Sequence, residues 1–188
     1  MPGNASKIQV VRRFHAAPWS TSLKVVSLLG TIGLGVASYV AYHAIPTPLG
    51  FTRNFGFGVA APPPLAFLSS LFFVVSGYSI DPTRLSVERL ITSTSVPLTG
   101  LTRVWFDPNA CKGSIRVFGN GGLFSFSGWF YSKRLGRYRL FATDFRKAVV
   151  LSFPTRNVVI SPAAPQVFIE HLHHILPDLI VGREESSA

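Results

Sequence analysis

The sequence predicts an α+β, mainly-β fold in which a two-helix transmembrane hairpin precedes a bent sheet of about seven antiparallel strands and one closing helix. Three observations support this fold class. No charged residue occurs between Lys24 and Arg53 or between Arg53 and Asp81. From Tyr78 onward, short apolar runs alternate with polar residues at period two, as in half-buried strands. Near the end, residues 165–176 repeat apolar side chains at helical spacing.

The composition excludes several classes of protein. The chain has 188 residues, a formal net charge of +10 and a mean hydropathy of +0.35. Only 14% of its residues are charged, against about 25% in soluble domains, which argues against a plain cytosolic domain or a disordered basic tail. Cys111 is the one cysteine, so a disulfide scaffold is excluded. The high hydropathy also argues against a soluble nucleic-acid binder, and no nucleic-acid partner is predicted.

The first predicted helix covers about residues 25–45. The run from Val25 to Ala44 is apolar and has the length of about 20 residues that crosses a bilayer. Trp19, Tyr39 and Tyr42 lie near its ends, where aromatic rings favour the membrane interface. The alternative is a cleaved signal peptide, although the run is long for one.

Small residues recur at helical spacing in this first helix and predict a helix-packing face for a second span or a second copy of the protein. They are Gly30, Gly33, Ala37 and Ala41.

The second predicted helix covers about residues 57–78 and is interrupted by Pro62, Pro63 and Pro64. If the helix begins at these prolines, its run from Leu65 to Ile80 is only about 24 Å long, which is short of a crossing. We expect a crossing that begins irregularly, and the alternative is a re-entrant or interfacial segment.

The distribution of charge predicts the orientation. Residues 1–24 carry +4 without an acid, the loop between the helices carries only Arg53, and the region beyond Ile80 carries +5. Because basic residues concentrate on the cytoplasmic side, we expect a multi-pass protein with both termini in the cytoplasm.

The predicted strands follow in chain order, each marked by alternating apolar residues. They contain Leu85 and Val87; Leu101, Val104 and Phe106; Phe124, Phe126 and Phe130; Tyr138, Leu140 and Ala142; Val149, Leu151 and Phe153; and Val158 and Ile160. The final helix, Pro165 to Leu176, places Val167, Phe168, Leu172 and Ile175 on one face and stops at Pro177.

The amino-acid sequence of several segments resembles that of a bacterial family of pleckstrin-homology (PH) domains. The resembling segments are Tyr78–Asp81, Val96–Leu98 with Val104, Arg116–Phe124, Gly128–Phe130, Leu135–Tyr138, and Val159–Pro162 before Phe168. The resemblance covers residues 78–176 and implies an open barrel capped by the C-terminal helix. It also implies a bacterial protein. Members of this family often carry one or two hydrophobic helices before the domain, as this sequence does. On this division, residues 1–24 are a basic cytoplasmic segment, 25–80 the anchor and 177–188 a tail.

The glycine-rich segment is predicted to be structural. A phosphate-binding loop needs a helix and a Lys-Ser/Thr pair directly after it, whereas the strand Leu123–Phe126 follows here. We therefore expect turns that use positive φ. The turn glycines are Gly119, Gly121, Gly122 and Gly136.

A group of basic residues is the candidate binding site for a lipid or a protein partner. The members are Arg116, Lys133, Arg134, Arg137 and Arg139. Alternation places Arg137 and Arg139 on one face of a strand, opposite Tyr138 and Leu140. Such a patch attracts anionic headgroups with about 1 kcal/mol per cation; the alternative is a solvated outer face. The resemblance supplies no headgroup pocket, since the loop Asp81–Arg84 is short and partly acidic.

No catalytic or metal site is predicted, and no cofactor. His171, His173 and His174 lack a cysteine or carboxylate partner at ligand spacing beyond Glu170. The acids are scattered, and no serine lies in a Gly-x-Ser-x-Gly context. Cys111 is expected to be a solvent-facing loop thiol; the alternative is a thiol whose pKa the neighbouring Lys112 lowers. The sequence thus predicts a non-catalytic protein of the bacterial inner membrane that acts as a scaffolding or self-associating interaction module. The alternative is a sensor of anionic lipid.

Overall fold

The computed structural model describes residues 11–43 and 61–182. Three helices are present in these ranges: α1 (Thr21–His43), α2 (Pro62–Leu71) and α3 (Pro165–Ile175). The strands are β1 (Arg12–His15), β2 (Val75–Ile80), β3 (Arg84–Arg89), β4 (Ser93–Pro97), β5 (Arg103–Phe106), β6 (Ile115–Gly121), β7 (Phe126–Ser132), β8 (Gly136–Ala142), β9 (Val149–Phe153), β10 (Arg156–Ile160) and β11 (Ile180–Val181).

The strands form two sheets. One has four strands in the order β1-β2-β3-β4, and the other has seven in the order β11-β5-β9-β10-β8-β7-β6. All pairs are antiparallel except β10 with β8 and β11 with β5. A seven-stranded sheet and the C-terminal helix agree with the prediction, but antiparallel pairing throughout is wrong at these two pairs. The separate four-stranded sheet, which contains the predicted strand with Leu85 and Val87, was not predicted. Over the described residues neither sheet closes into a barrel.

The main core lies between the two sheets and under α3. Tyr78 of the four-stranded sheet, Phe141 of the seven-stranded sheet and Phe168 of α3 are all fully buried there. The Tyr78 hydroxyl donates to the Phe141 carbonyl at 2.7 Å and accepts from the Ser161 amide at 3.1 Å. Burial raises the pKa of Tyr78 to about 12. This hydroxyl therefore connects the two sheets as a neutral group.

Strand β1 precedes α1 in sequence but belongs to the domain that follows it. Arg12 to His15 pair with Ile80 to Gly77 of β2. The Ala17 amide then donates to the Ser161 carbonyl at 2.8 Å, and the Ala17 carbonyl accepts from the Thr143 hydroxyl at 2.6 Å. The chain on both sides of α1 is thus attached to the same body.

The prediction of a second membrane-spanning helix over residues 57–78 is wrong. Helix α2 has only 10 residues, with prolines in its first turn, and is about 15 Å long. After Leu71 the chain turns and enters β2 at Val75. The apolar residues of β2 pack in the protein core and not in a bilayer. Residues 57–60 lie outside the described residues, as do the predicted loop with Arg53 and the two ends of the chain.

One helix in the described ranges is long and apolar enough to cross a membrane, over Thr21–Ala41. The two-helix transmembrane hairpin and the multi-pass topology are therefore not supported. The sequence suggested them because an apolar run of mixed helix and strand has the same composition as a membrane span.

Helix α1 packs on the domain through its N-terminal half. Leu23 is fully buried, and the Ser27 hydroxyl donates to the Gly122 carbonyl at 3.1 Å and accepts from the Phe124 amide at 2.8 Å. Helix α2 packs farther along, where α1 and α2 enclose a recess of about 210 Å³. Its lining is Thr31, Leu34, Gly35, Ser38, Pro64 and Phe67.

The predicted small-residue face of α1 does not face α2. Gly30 lies against the Leu123 side chain, with 3.0 Å from an added Cβ to the nearest atom. Gly33 and Ala37 are exposed, and Ala41 is half-buried. A helix-packing role of this face for a second copy stays a prediction.

Candidate functional site

Strand β8 carries different chemistry on its two faces. Phe141 lies in the core between the sheets, whereas Tyr138 and Leu140 lie in a second cluster on the other side of the seven-stranded sheet. Because side chains alternate along a strand, Arg137 and Arg139 share the face of Phe141. We call this the inner face, and its opposite the outer face.

On the inner face, arginine and aromatic side chains stack alternately in a continuous row that we call the arginine–aromatic ladder. Its members in order are Phe73, Arg89, Phe141, Arg139, Trp129 and Arg137.

Each neighbouring pair of the ladder is in cation–π contact. The Arg89 guanidinium lies 5.5 Å from the ring centre of Phe73 and 5.3 Å from that of Phe141. The Arg139 guanidinium lies 5.0 Å from Phe141 and 5.5 Å from Trp129. Arg137 completes the ladder at 4.7 Å from Trp129. Trp129 and Arg139 face each other directly across β7 and β8, so strand pairing sets the distance between these two side chains.

A further arginine flanks the ladder. The Arg156 guanidinium lies 4.8 Å from the ring centre of Phe153, and its Nη2 donates to the Pro97 carbonyl at 3.5 Å. Its positive charge acts on Arg139, since burial first and Arg156 second lower the pKa of Arg139. The charge of the ladder therefore extends onto β10.

The ladder concentrates positive charge without carboxylates. Burial, and then the charge of Arg139, lower the pKa of Arg89. The Nε atoms of Arg89 and Arg139 are buried and have no hydrogen-bond partner. In the described part of the chain, none of the ladder arginines forms an ion pair with an acid. Guanidinium groups stay charged at neutral pH even so, which leaves unsatisfied donors beside aromatic faces.

This arrangement is suited to holding an oxyanion. The planar guanidinium matches the oxygens of phosphate and carboxylate groups in a two-point contact. Stacking on aromatic rings limits the rotamers of the arginines, so less side-chain entropy is lost when a ligand binds. The ladder has no nucleophile or general base among its members.

Most of the folded region matches a known type of domain. A family model described as a bacterial PH domain matches residues 76–175, which is more than half of the chain. The chain belongs to the bacterial PH domain family. No curated protein and no solved structure matches it. The resemblance predicted from the sequence is thus confirmed, and the PH domain contains every ladder residue except Phe73, which lies just before it.

Of the predicted basic group, the structure brings only Arg137 and Arg139 into the ladder. Arg134 Nη2 lies 2.8 Å from Oδ2 of the buried Asp107 on the outer face, an ion pair not aligned as a hydrogen bond. Arg116 Nη1 donates to the Gly119 carbonyl at 3.3 Å within its own strand. Lys133 is exposed in the turn between β7 and β8.

Sequence analysis missed Arg89, Arg156 and the aromatic rings between the arginines. Arg89 ends β3 in one sheet and Arg156 begins β10 in the other, so they are far apart in sequence. The sequence around each of them shows only a basic residue at the end of a strand, with no sign that the two arginines lie near one another. The alternation that aligned Arg137 and Arg139 was the one local signal available.

Of the predicted turn glycines, Gly119 and Gly121 lie in strand β6 and not in a turn. Gly119 has a φ of 111° and pairs with Gly128, and a Cβ on Gly119 would lie 2.4 Å from the Ser127 carbonyl oxygen. Gly122 and Gly136 also have positive φ, whereas Gly121 contacts the Arg116 side chain. The close approach of β6 and β7 therefore requires glycine at 119.

The outer face holds a recess of about 390 Å³ beside the second core cluster. Its lining includes Cys111, Ser114, Arg116, Phe126 and Phe145. The prediction of a solvent-facing thiol is wrong, because Cys111 is buried in this cluster. Burial raises the pKa of its thiol to about 12, which is the opposite of the alternative in which Lys112 lowers it. Among the described residues, no group of three or more histidine, cysteine or acidic side chains is placed to hold a metal ion.

Proposed function

We propose that this PH domain is a non-catalytic binding module that holds a phosphate-type anion on its arginine–aromatic ladder at the cytoplasmic surface of a bacterial inner membrane. The observation that carries the proposal is the pair Arg89 and Arg139, whose buried Nε donors have no partner. Both side chains are half-buried, and neither has an acid to balance its charge among the described residues, so the two cations repel each other. Because the ring of Phe141 lies between them, an anion would bind along the accessible side of the ladder and offset this repulsion.

The location of the ladder supports a ligand near a membrane. The ladder begins at Phe73, two residues beyond the end of α2, and Arg89 is followed by the exposed Leu90 and Ile91. The Leu90 amide donates to the Val74 carbonyl at 3.1 Å, so this apolar turn lies beside the end of α2. A lipid headgroup and a soluble phosphorylated molecule both provide the required group.

The test is a titration of the full chain in detergent micelles with inorganic pyrophosphate and, separately, with phosphatidylglycerol in the micelles. Fluorescence of Trp129 reports binding, because two guanidinium groups contact its ring; Trp129→Phe identifies its share of the signal. We expect Arg139→Gln to weaken binding about tenfold, the loss of one charge-assisted contact. Lys133→Gln is the matched control and should bind as the wild type.

The two probes separate the two sources of phosphate. Saturation by pyrophosphate alone indicates a soluble ligand, and saturation by the lipid alone indicates a headgroup. The proposal is overturned if neither probe saturates, or if a protein with both Arg89→Gln and Arg139→Gln binds as tightly as the wild type.

A second function, protein interaction or scaffolding, is supported by strand β6. This strand is an edge of the seven-stranded sheet, and it exposes Ile115 by 68%, Val117 by 55% and Phe118 by 74%. Exposed apolar edges pair with strands of other chains. We expect Val117→Lys to abolish a β6-mediated self-association measured by sedimentation in detergent, and Lys112→Gln to leave it unchanged. A protein that is monomeric at all concentrations would exclude self-association through β6.

A further inference from the structure

The recess on the outer face lies on the opposite side of the seven-stranded sheet from the arginine–aromatic ladder. Its volume of about 390 Å³ is within the range of about 300–1,000 Å³ that is typical of small-molecule sites. It is built by the loop after β5, by strands β6, β7 and β8, and by the 3₁₀ turn Phe145–Lys147. None of its lining residues belongs to the ladder, so a ligand in this recess is a second ligand.

The interior of the recess is mainly aromatic. Phe130 and Leu140 are buried at its closed end, which we call the floor. Phe126 and Phe145 are half-buried and lie against each other, with ring centres 4.2 Å apart and planes inclined by 39°. Phenylalanine rings favour edge-to-face or offset packing against a further aromatic ring. The apolar part of the recess therefore favours a flat aromatic body.

Arg116 is the one cation in the lining of the recess. It pairs with Phe130 across β6 and β7, so its side chain lies on the same face as that ring. It is exposed, and its Nη1 donates to the Gly119 carbonyl at 3.3 Å. A guanidinium has five N–H donors, so other donors of Arg116 are available to a ligand. Within residues 11–43 and 61–182, Arg116 forms no ion pair with an acid.

Gly121 provides the space that this guanidinium occupies. A Cβ added to Gly121 would lie 2.7 Å from Nη1 of Arg116 and 3.1 Å from its Cζ. The φ of Gly121 is not positive, so the backbone itself does not require glycine here. A residue with a side chain would displace Arg116 without changing its charge, which makes Gly121 a positioning residue for the cation.

The polar groups at the floor are neutral. The Tyr138 hydroxyl donates to Ser114 Oγ at 2.7 Å, so the Ser114 hydroxyl keeps its own proton to donate. Burial keeps the Cys111 thiol protonated at neutral pH, because its pKa is raised to about 12. Asp107, whose charge also acts on this thiol, is paired with Arg134. The recess therefore offers an anion one cation and a hydroxyl donor.

We infer that the outer-face recess binds an aromatic monocarboxylate, with the ring among the phenylalanines and the carboxylate on Arg116. A carboxylate matches a guanidinium in a two-point contact. A singly charged group suits this lining because it contains one cation, whereas the ladder contains three arginines. This site is independent of the anion site in the proposed function.

The test is isothermal titration calorimetry of the full chain in detergent with 2-naphthoate, and with 2-naphthamide as an uncharged ligand of the same shape. The heat of each ligand added to detergent alone is subtracted. We expect 2-naphthoate to saturate the wild type and to bind at least about tenfold more tightly than 2-naphthamide, because only the carboxylate forms a charge-assisted contact.

Variants of the cation and of its neighbour locate the ligand. Arg116→Gln should weaken 2-naphthoate binding about tenfold and leave 2-naphthamide binding unchanged. Gly121→Ala should weaken 2-naphthoate binding at least about threefold, because the added methyl group displaces Arg116 while its charge is retained. Lys112→Gln removes an exposed cation outside the lining, and as the matched control it should bind as the wild type.

The inference is overturned if 2-naphthoate does not saturate, if the acid and the amide bind equally, or if Lys112→Gln weakens binding as much as Arg116→Gln. Competition separates this site from the ladder, since pyrophosphate should leave 2-naphthoate binding unchanged. Displacement by pyrophosphate would place 2-naphthoate on the ladder and overturn this inference alone. Binding that weakens as the protein concentration rises would assign the recess to a second copy and also overturn it.

Discussion

Arg134 on the outer face and Arg139 on the inner face lie within one β7–β8 hairpin, but only one of them has an anionic partner. Arg134 pairs with the buried Asp107, which also accepts from the Asn109 amide at 2.8 Å. Arg139 contacts Phe141 and Trp129, and its Nε has no partner. Both are arginines of a basic segment, so sequence composition does not distinguish them.

This difference indicates which of the two arginines stabilises the fold. A paired arginine stabilises the loop that it touches, and its loss leaves a buried carboxylate uncompensated. An arginine among aromatic rings and other arginines gains packing but carries electrostatic repulsion. We therefore expect stability to depend on the outer face and ligand binding to depend on the inner face.

The largest expected effect is on the outer face. Asp107→Ala removes the anionic partner of Arg134 and the acceptor of the Asn109 amide from a fully buried position. We expect it to lower the free energy of unfolding by about 3 kcal/mol, measured by urea unfolding of the full chain in detergent. A change below that of Arg139→Met would contradict the comparison.

A smaller effect is expected at Tyr78, a polar group in the core between the sheets whose hydroxyl has hydrogen-bond partners. Tyr78→Phe leaves the Phe141 carbonyl and the Ser161 amide unpaired in the core, and we expect it to cost about 2 kcal/mol. Tyr138→Phe removes a hydroxyl that donates to the Ser114 hydroxyl at 2.7 Å and is hydrogen-bonded to the Cys111 side chain; it is the matched control, for which we expect a smaller loss. Equal losses would show that the Tyr78 bridge adds nothing beyond the hydrogen bonds of another buried tyrosine.

The Tyr78 hydroxyl also sets a pH dependence. Its folded pKa is raised from 10.0 to about 12, so the folded state holds a proton that the unfolded state releases first. Its contribution to stability is complete below pH 10 and declines as the pH rises from 10 to about 12. Urea unfolding at pH 9 and pH 11 should show this decline in the wild type and a smaller one in Tyr78→Phe.

The smallest effect on stability is expected in the ladder. Arg139→Met keeps an unbranched side chain over Phe141 and Trp129 but removes repulsion from Arg89 and Arg156. We expect the free energy of unfolding to change by less than about 1 kcal/mol, while pyrophosphate or lipid binding falls. A loss of stability as large as that of Asp107→Ala would make Arg139 a structural residue.

Local patterns predicted much of the PH domain. The final helix, expected over residues 165–176, is observed at Pro165–Ile175, because its apolar spacing and flanking prolines are local signals. Period-two alternation correctly placed Arg137 and Arg139 on one face. Strand β1, with the sequence Arg-Arg-Phe-His, carries no alternation that distinguishes it from a loop. It is ordered by pairing with β2 and by Phe14, whose ring lies 5.1 Å from Phe168.

The sequence by itself determined the family, the amphipathic C-terminal helix and the apolar character of residues 25–80, since each depends on residue type and spacing along the chain. The tertiary structure alone decided that residues 75–80 are a core strand, that β1 joins the domain across α1, and that Arg89 and Arg139 share a ladder. These depend on contacts between residues distant in sequence. Hydropathy records that a side chain avoids water, but whether lipid or protein replaces the water is settled only by the fold.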